Sequence, residues 1–172
     1  MIWIFGFGSL MFGEWHSEFK CVVRQRATLL GYQRAFNKKS VVNWGDQQNP
    51  GVTLNLSARE DSKCEGVAFA FEDDSRAALL DYLRRREGCP PTPISMLLAD
   101  GESVRGLTYV YTGKNLVGSG TSVTELAVLV RKASGTSGKA RDYVRKTFEE
   151  LKAAGIEDPV VTDFWRAVEG NG

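Results

Sequence analysis

Alternation of apolar and polar positions, together with short apolar runs, predicts strands over most of the first 110 residues. The chain opens with an apolar run at 2–5, whose β-branched and aromatic residues favour a buried strand over a helix. Further strands are predicted at 19–26, 27–36, 52–56, 64–71, 94–98 and 104–111. The last two flank a short turn at 99–102 and therefore form a predicted hairpin.

Polar and glycine-containing segments divide these strands. Residues 38–51 are predicted to be a loop, and residues 58–63 a charged turn. Gly31 interrupts the strand-like residues of the segments 19–26 and 27–36, and we expect a bend or a bulge there. The glycine-rich segment 113–121 is predicted to be a flexible loop that separates the strands from the end of the chain.

Helical signals occur once among the strands and then dominate the last third. Ser75 and the acidic residues before it predict a helix start, and Gly88 predicts its end, so that the helix covers about 75–87. Ser122 and Glu125 form a predicted capping box that begins a second helix. The segment 135–138 ends that helix, a third runs to Gly155, and a short fourth includes residues 164–168.

Strands followed by segregated helices are typical of the α+β class. We therefore expect a mixed or closed sheet with helices packed on it. A chain of 172 residues that is 42% hydrophobic and 25% charged fits one globular domain with a real core.

Charge and residue counts exclude several classes of function. The net charge of +1 gives no electrostatic reason to expect nucleic acid or an anionic membrane as a partner. No apolar stretch has the length of a membrane span, and the N-terminal run is too short for a signal peptide, so we expect a cytoplasmic protein. Cysteines 21, 64 and 89 form neither a zinc pattern nor a disulfide framework. Because His16 is the single histidine, a Ser-His-Asp hydrolase or a multi-histidine metal site is disfavoured.

The first predicted strand leads into a glycine turn, Gly6-Phe7-Gly8-Ser9-Leu10. Two glycines permit positive φ and close approach of the backbone to a ligand, and successive N–H groups in such a turn can bind an anion. Met11 breaks the spacing of a dinucleotide site, and the turn lacks the lysine of a P-loop. An ordinary turn after a strand is the alternative interpretation.

Glu87 is the carboxylate that departs most from its helical pattern. At about 100° per residue it falls between Leu80 and Leu83, on the predicted apolar face. It also ends the helix, where the dipole disfavours an anion. Both effects are expected to raise its pKa, which suits a general base near neutral pH. A solvated or salt-bridged helix end is the alternative.

Other polar residues give weaker signals. Glu14 and Glu18 flank His16 but lie in a polar stretch and are expected to be solvated. The arginine run at 84–86 points in three directions around a helix, which predicts a solvated surface instead of a phosphate clamp. Tyr143 is expected to pack its ring in the core, with a hydroxyl that could serve a site.

Several of these segments, in this order, resemble the ChaC-like γ-glutamylcyclotransferases. Residues 5–11 resemble the family's N-terminal Tyr-Gly-Ser-Leu turn, and residues 82–87 resemble its Tyr-Leu-x-x-Arg-Glu segment. The similarity continues through residues 26–36, 50–54, 64–68, 107–110 and 137–143. It spans roughly residues 2 to 159, and its specificity lies in the order and spacing of the motifs.

The resemblance implies a compact mixed β-barrel with flanking helices, forming a single γ-glutamylcyclotransferase-like domain over residues 1–172. It implies cleavage of a γ-glutamyl substrate, chiefly glutathione, to 5-oxoproline and Cys-Gly, without a cofactor and without a metal. In that family the glutamate of the second motif is the catalytic base, which corresponds to Glu87 here. The resemblance further places the substrate against Phe7, Gly8, Ser9, Leu10 and Tyr143. It gives no oligomeric state.

Three departures from the family pattern leave the substrate open. Phe7 stands where the family usually has tyrosine, and Ala140 where it usually has asparagine. The loop 88–92 is shorter than the family's Gly-Gly-Tyr loop and contains no tyrosine. Two alternatives to glutathione cleavage therefore remain: action on another γ-glutamyl amine or conjugate, and a γ-glutamyl-binding module that has lost catalysis.

Overall fold

The computed structural model describes residues 1–118 and 120–170. Among them, five strands form a closed barrel in the order β1-β3-β2-β4-β5. These strands are β1 (Ile2–Gly6), β2 (Cys21–Ser40), β3 (Gly51–Phe71), β4 (Thr92–Leu98) and β5 (Ser103–Thr108). The barrel is mixed, because β1 pairs antiparallel with β3 but parallel with β5.

The chain divides into two compact units, each containing part of β2 and β3. The first unit combines Met1–Gln33 with Leu56–Tyr111, and the second combines Arg34–Asn55 with the described part of Thr112–Gly172. The expectation of a single domain over residues 1–172 stays a prediction.

The first unit contains β1, β4 and β5 together with helix α1 (Arg76–Glu87). Aromatic residues of β1 and β3 form its centre, and Phe5, Phe69 and Phe71 have no exposed surface. Helix α1 buries Leu79 and Leu83 completely. The helix ends at Gly88, which adopts a left-handed conformation (φ 68°) and donates its N–H to the carbonyl of Arg84.

The second unit contains the remaining helices and a short hairpin. These elements are α2 (Val123–Lys132), β6 (Ser134–Gly135), β7 (Gly138–Lys139), α3 (Ala140–Ala153) and α4 (Pro159–Glu169). Its core includes a buried ion pair, in which Arg34 Nη1 lies 2.8 Å from Asp158 Oδ2 and the Arg34 side chain is fully buried. Asp158 also caps α4, because its carboxylate accepts the N–H of Val161.

Most of the predicted elements are confirmed. The first strand, the helix at about 75–87 and the hairpin of β4 and β5 are present, and Gly31 has a φ of 75° inside β2. The capping box is confirmed, since Ser122 and Glu125 exchange hydrogen bonds at the start of α2. Part of the predicted loop 113–121 forms a bridge between Lys38 and Leu116, and position 119 lies outside the described residues.

One loop prediction is wrong, and the loop predicted at 38–51 is confirmed only over 41–50. Residues 58–63 do not form a turn but continue β3, and β2 extends to Ser40, beyond the predicted loop start at Lys38. The middle of β3 is mostly exposed, so no apolar alternation marks it, and pairing with neighbouring strands holds it extended. Within residues 1–118 and 120–170, the helices all lack the length and apolar character needed to span a membrane.

Candidate active site

The end of β1 delivers the glycine turn to the candidate site. A short 3₁₀ helix, Ser9–Met11, follows immediately, and the N–H of Met11 donates to the carbonyl of Gly8 at 2.8 Å. Phe7 and Leu10 are buried, with 8% and 3% of their surface exposed, whereas Ser9 is exposed. Two buried side chains therefore anchor the turn, and Ser9 between them lies at the surface.

The predicted positive φ is not found at the two glycines. Neither Gly6 nor Gly8 has a positive φ, and Gly8 has a φ of −138°. Close approach of the backbone to a ligand stays a prediction, and the close contact that the structure shows is internal: a Cβ atom on Gly6 would lie 3.1 Å from the carbonyl carbon of Leu10. The 3₁₀ turn folds the chain back over Gly6, and that contact explains why a glycine stands there.

Two side chains bind the carbonyl groups of this turn. Trp15 donates from Nε1 to the carbonyl of Leu10 at 2.9 Å, and Arg86 donates from Nη2 to the carbonyl of Ser9 at 3.1 Å. The Arg86 guanidinium also lies over the Trp15 ring, 5.9 Å from its centroid, and donates to the Tyr82 hydroxyl at 2.9 Å. Because both carbonyls are held, the orientation of the turn's peptide groups is fixed.

Glu87 is the last residue of α1 and its side chain is 18% exposed. The buried face of α1 consists of Leu79 and Leu83, whereas Leu80 is only half-buried. Glu87 lies about 40° around the helix from Leu83, at the edge of that face. Arg86 Nε is 3.6 Å from Glu87 Oε1. The carboxylate is thus partly buried and also forms the ion pair that the alternative interpretation described. The catalytic role of Glu87 stays a prediction.

Tyr109 brings a second polar group to Glu87. It directly follows β5 and is 2% exposed. In the part of the chain that the structure describes, its hydroxyl has no hydrogen-bond partner. Burial raises the pKa of Tyr109 well above its ordinary value, and the charges of Glu87 and Cys89 raise it further. The hydroxyl is therefore a neutral donor beside a carboxylate.

Sequence reasoning missed three residues of this arrangement: Arg86, Trp15 and Tyr109. The arginine run was predicted to be solvated, which is right for Arg84 and Arg85, both exposed and paired with Asp81. Arg86 is exposed as well, but its guanidinium also joins the turn to the end of α1 through a hydrogen bond to Ser9 and an ion pair with Glu87. The signals available for Arg86 were its position beside Glu87 and its place in the segment 82–87 that resembles the family motif.

The remaining candidates lie elsewhere. Glu14 and Glu18 are exposed, as expected for solvated residues. Tyr143 belongs to the second unit, where its hydroxyl accepts the N–H of Leu54 at 3.1 Å and its ring lies 5.2 Å from that of Trp44. The ring packs against Trp44, but Tyr143 is half-buried and not part of the core as expected. Its contact with a substrate stays a prediction.

The first unit therefore combines a half-buried carboxylate, a neutral hydroxyl and a rigid turn at one place. A carboxylate can accept and return a proton, and donors fixed in a turn can bind a carboxylate or a developing oxyanion. This set suits a reaction in which protons move between nitrogen atoms and charge develops on a carbonyl oxygen.

Comparison with known proteins identifies the family to which the chain belongs. Residues 2–171 match the family described as ChaC-like protein. γ-Glutamylcyclotransferase 2-3 of Arabidopsis thaliana is 30% identical over 175 residues, which cover 95% of this chain and 86% of that protein. The chain belongs to the ChaC-like family.

Solved structures show that the fold is the one expected. A γ-glutamyl cyclotransferase specific to glutathione from yeast superposes with a TM-score of 0.83 at 19% identity, covering 97% of this chain and 95% of that chain. Another structure, described as γ-glutamyl cyclotransferase, gives a TM-score of 0.52 at 12% identity over 96% of this chain and 98% of that chain. The predicted mixed-barrel α+β fold is confirmed.

Proposed function

We propose that this chain is a γ-glutamylcyclotransferase that cleaves glutathione to 5-oxoproline and Cys-Gly. The observation that carries the proposal is the half-buried Glu87 carboxylate, which Arg86 joins to the turn at Ser9. Membership of the ChaC-like family and the names of its relatives support the same reaction.

The chemistry requires no group beyond a base and oxyanion donors. The α-amine of the γ-glutamyl group attacks its own γ-carbonyl carbon, so that the new C–N bond closes a five-membered ring. Glu87 takes the proton that this nitrogen must lose. The bond from the γ-carbon to the cysteine nitrogen then breaks, and Glu87 returns the proton to that leaving nitrogen.

The turn supplies the binding of the γ-glutamyl end. Phe7 and Leu10 are buried, so we assign their contribution to the backbone, and Ser9 is exposed. We assign the N–H groups of Gly8, Ser9 and Leu10 to the substrate's oxygen atoms, because the carbonyls of Ser9 and Leu10 are bound by Arg86 and Trp15.

Tyr143 is included as a further substrate-binding residue. This assignment is supported by the resemblance of its segment to the family pattern and by its position at the start of α3. Tyr143→Phe tests it, since loss of a substrate contact is expected to raise KM for glutathione.

The test is an assay for 5-oxoproline and Cys-Gly after incubation with millimolar glutathione. Wild-type protein is expected to release both products in equal amounts, and Glu87→Gln is expected to release neither, because the amide cannot take the proton. Asp81→Asn is the matched control, since it removes an exposed carboxylate from the same helix. Equal activity in the wild type and in Glu87→Gln would assign the base elsewhere.

A second candidate substrate is another γ-glutamyl amine or conjugate. Phe7 is buried in the turn and lacks the hydroxyl usual in the family, and the loop after Glu87 is short. A comparison of kcat/KM across γ-glutamyl compounds with different leaving amines decides between the two. Binding of these compounds without turnover of any would instead indicate the non-catalytic binding module.

The proposed substrate is a small molecule, and we assign the protein to the cytoplasm with no nucleic acid or membrane partner. The near-neutral net charge of +1 supports the absence of a nucleic acid or anionic membrane partner. Glutathione is abundant in reducing compartments, which also fits three cysteines present as thiols. Cell fractionation with a tagged chain tests the compartment.

A further inference from the structure

We propose that Tyr109 is a second catalytic residue, whose hydroxyl donates a hydrogen bond to the γ-carbonyl oxygen of the substrate as that oxygen becomes an oxyanion. The inference rests on the proposed function, because it assigns a role within the same ring-closing reaction.

Strand pairing places Tyr109 at the end of the barrel where the glycine turn begins. β1 and β5 run parallel, with Ile4 opposite Leu107. Two residues further along both strands, the same register sets Tyr109 level with Gly6. The side chain of Thr108 fixes this alignment, since it is fully buried and donates from Oγ1 to the carbonyl of Phe5 at 3.0 Å.

The hydroxyl of Tyr109 is a buried donor that the described residues leave without an acceptor. Buried polar groups in folded proteins are nearly always hydrogen-bonded, and leaving one unmade costs roughly 1–3 kcal/mol. Such a group points to a partner that the protein itself does not provide. A substrate oxygen bound at this end of the barrel meets that requirement.

The surroundings of Tyr109 define which role it can have. Burial and the nearby Glu87 charge disfavour the phenolate, so the hydroxyl stays protonated and acts as a donor. Glu87 handles protons on nitrogen, and Tyr109 faces the oxygen bonded to the same reacting carbon. Two groups with these roles must be neighbours without bonding to each other, which agrees with the missing hydrogen bond between them.

Tyr109→Phe removes the hydroxyl and keeps the ring. Loss of one oxyanion donor typically lowers kcat by about 10²–10³-fold, so we expect a fall of that order with KM nearly unchanged. Because none of the described residues accepts a hydrogen bond from this hydroxyl, we expect the melting temperature to stay equal or to rise. Tyr32→Phe is the matched control, a half-buried tyrosine of β2 in the same unit.

A binding measurement separates catalysis from binding. N-Glutaryl-Cys-Gly lacks the α-amine and cannot cyclise, and Tyr109→Phe is expected to bind it as tightly as the wild type does. A variant that keeps wild-type kcat overturns the inference, as does one whose activity and melting temperature fall together. If the wild type itself releases no 5-oxoproline from any γ-glutamyl compound, the proposed function fails first and the inference fails with it.

Discussion

Arg86 donates a hydrogen bond from Nη2 to the carbonyl oxygen of Ser9 at 3.1 Å, although 77 positions separate the two residues. The same guanidinium places its Nε 3.6 Å from the Glu87 carboxylate. One side chain thus joins the glycine turn, the proposed site of substrate binding, to the candidate base. Because a guanidinium is planar with donors at fixed angles, it sets the distance between the two parts of the site.

Replacing Arg86 with lysine tests this connection. Lysine keeps the charge but loses the planar arrangement of donors, so the turn and Glu87 are expected to shift relative to each other. A displacement of about 1 Å at a reacting centre can lower activity about 10²-fold. We expect kcat/KM for glutathione to fall by up to that factor in steady-state assays.

The neighbouring Arg85 provides the control for that experiment. Its side chain is exposed and pairs with Asp81 at 3.0 Å on the surface of α1. Arg85→Lys is therefore expected to leave kcat/KM within about twofold of the wild type, since exposed ion pairs contribute little. Equal losses in both variants would contradict a specific role of Arg86 in joining the turn to Glu87.

Trp15 holds the adjacent carbonyl of the turn, and its removal is expected to affect both stability and binding. Trp15→Phe keeps an aromatic ring but leaves the carbonyl of Leu10 without its donor. An unsatisfied buried acceptor costs about 1–3 kcal/mol. We expect the free energy of unfolding in urea to fall by that amount and KM for glutathione to rise.

Trp165→Phe separates the two effects of the Trp15 change. Trp165 is 7% exposed, close to the 6% of Trp15, but belongs to the second unit. It is expected to lose stability while leaving KM unchanged. If KM rises equally in both variants, loss of stability alone explains the Trp15 result.

The parts of the fold that sequence predicts are those fixed by local interactions. The end of α1 follows from Gly88, and the capping box of α2 depends on two residues three positions apart. Ser75 marks the start of α1 in the sequence, although its side chain makes no capping hydrogen bond there. The middle of β3 could not be predicted in this way. Its residues are mostly exposed and charged, and only pairing with other strands makes them extended.

The residues of the candidate site differ in the same way, because some are marked by a local pattern and others depend on contacts between distant parts of the chain. Glu87 is recognisable because a charge on an apolar face departs from a local pattern. Tyr109 is not, because its position depends on β1 and β5 pairing across more than 100 residues of sequence, as the Thr108 contact to Phe5 (a separation of 103) shows. Arg86 likewise acts through a contact to Ser9 that no local pattern encodes.

The buried pair of Arg34 and Asp158 is expected to stabilise the second unit. The Arg34 side chain is fully buried and that of Asp158 is 14% exposed. Arg34→Met leaves the aspartate charge uncompensated, which typically costs about 3–5 kcal/mol. Asp158→Asn keeps the cap of α4, so the double variant is expected to recover part of the loss in urea unfolding. A double variant as unstable as the sum of both single variants would exclude coupling between them.

The capping box at Ser122 and Glu125 predicts a pH-dependent contribution to stability. Hydrogen bonds from the backbone N–H and the hydroxyl of Ser122 hold the pKa of Glu125 below its ordinary value of 4.5. A lowered pKa in the folded state means that the charged form stabilises the fold above pH 4.5, and that this contribution disappears as the pH falls through the folded value. Glu125→Gln should therefore melt at a lower temperature than the wild type at pH 7, and the melting temperatures of the two proteins should converge in acid.

Glu60→Gln, a substitution at an exposed position of β3, is the control and should match the melting temperature of the wild type at every pH. A difference for Glu125→Gln that persisted unchanged at pH 3 would show that the amide perturbs α2 by something other than lost charge.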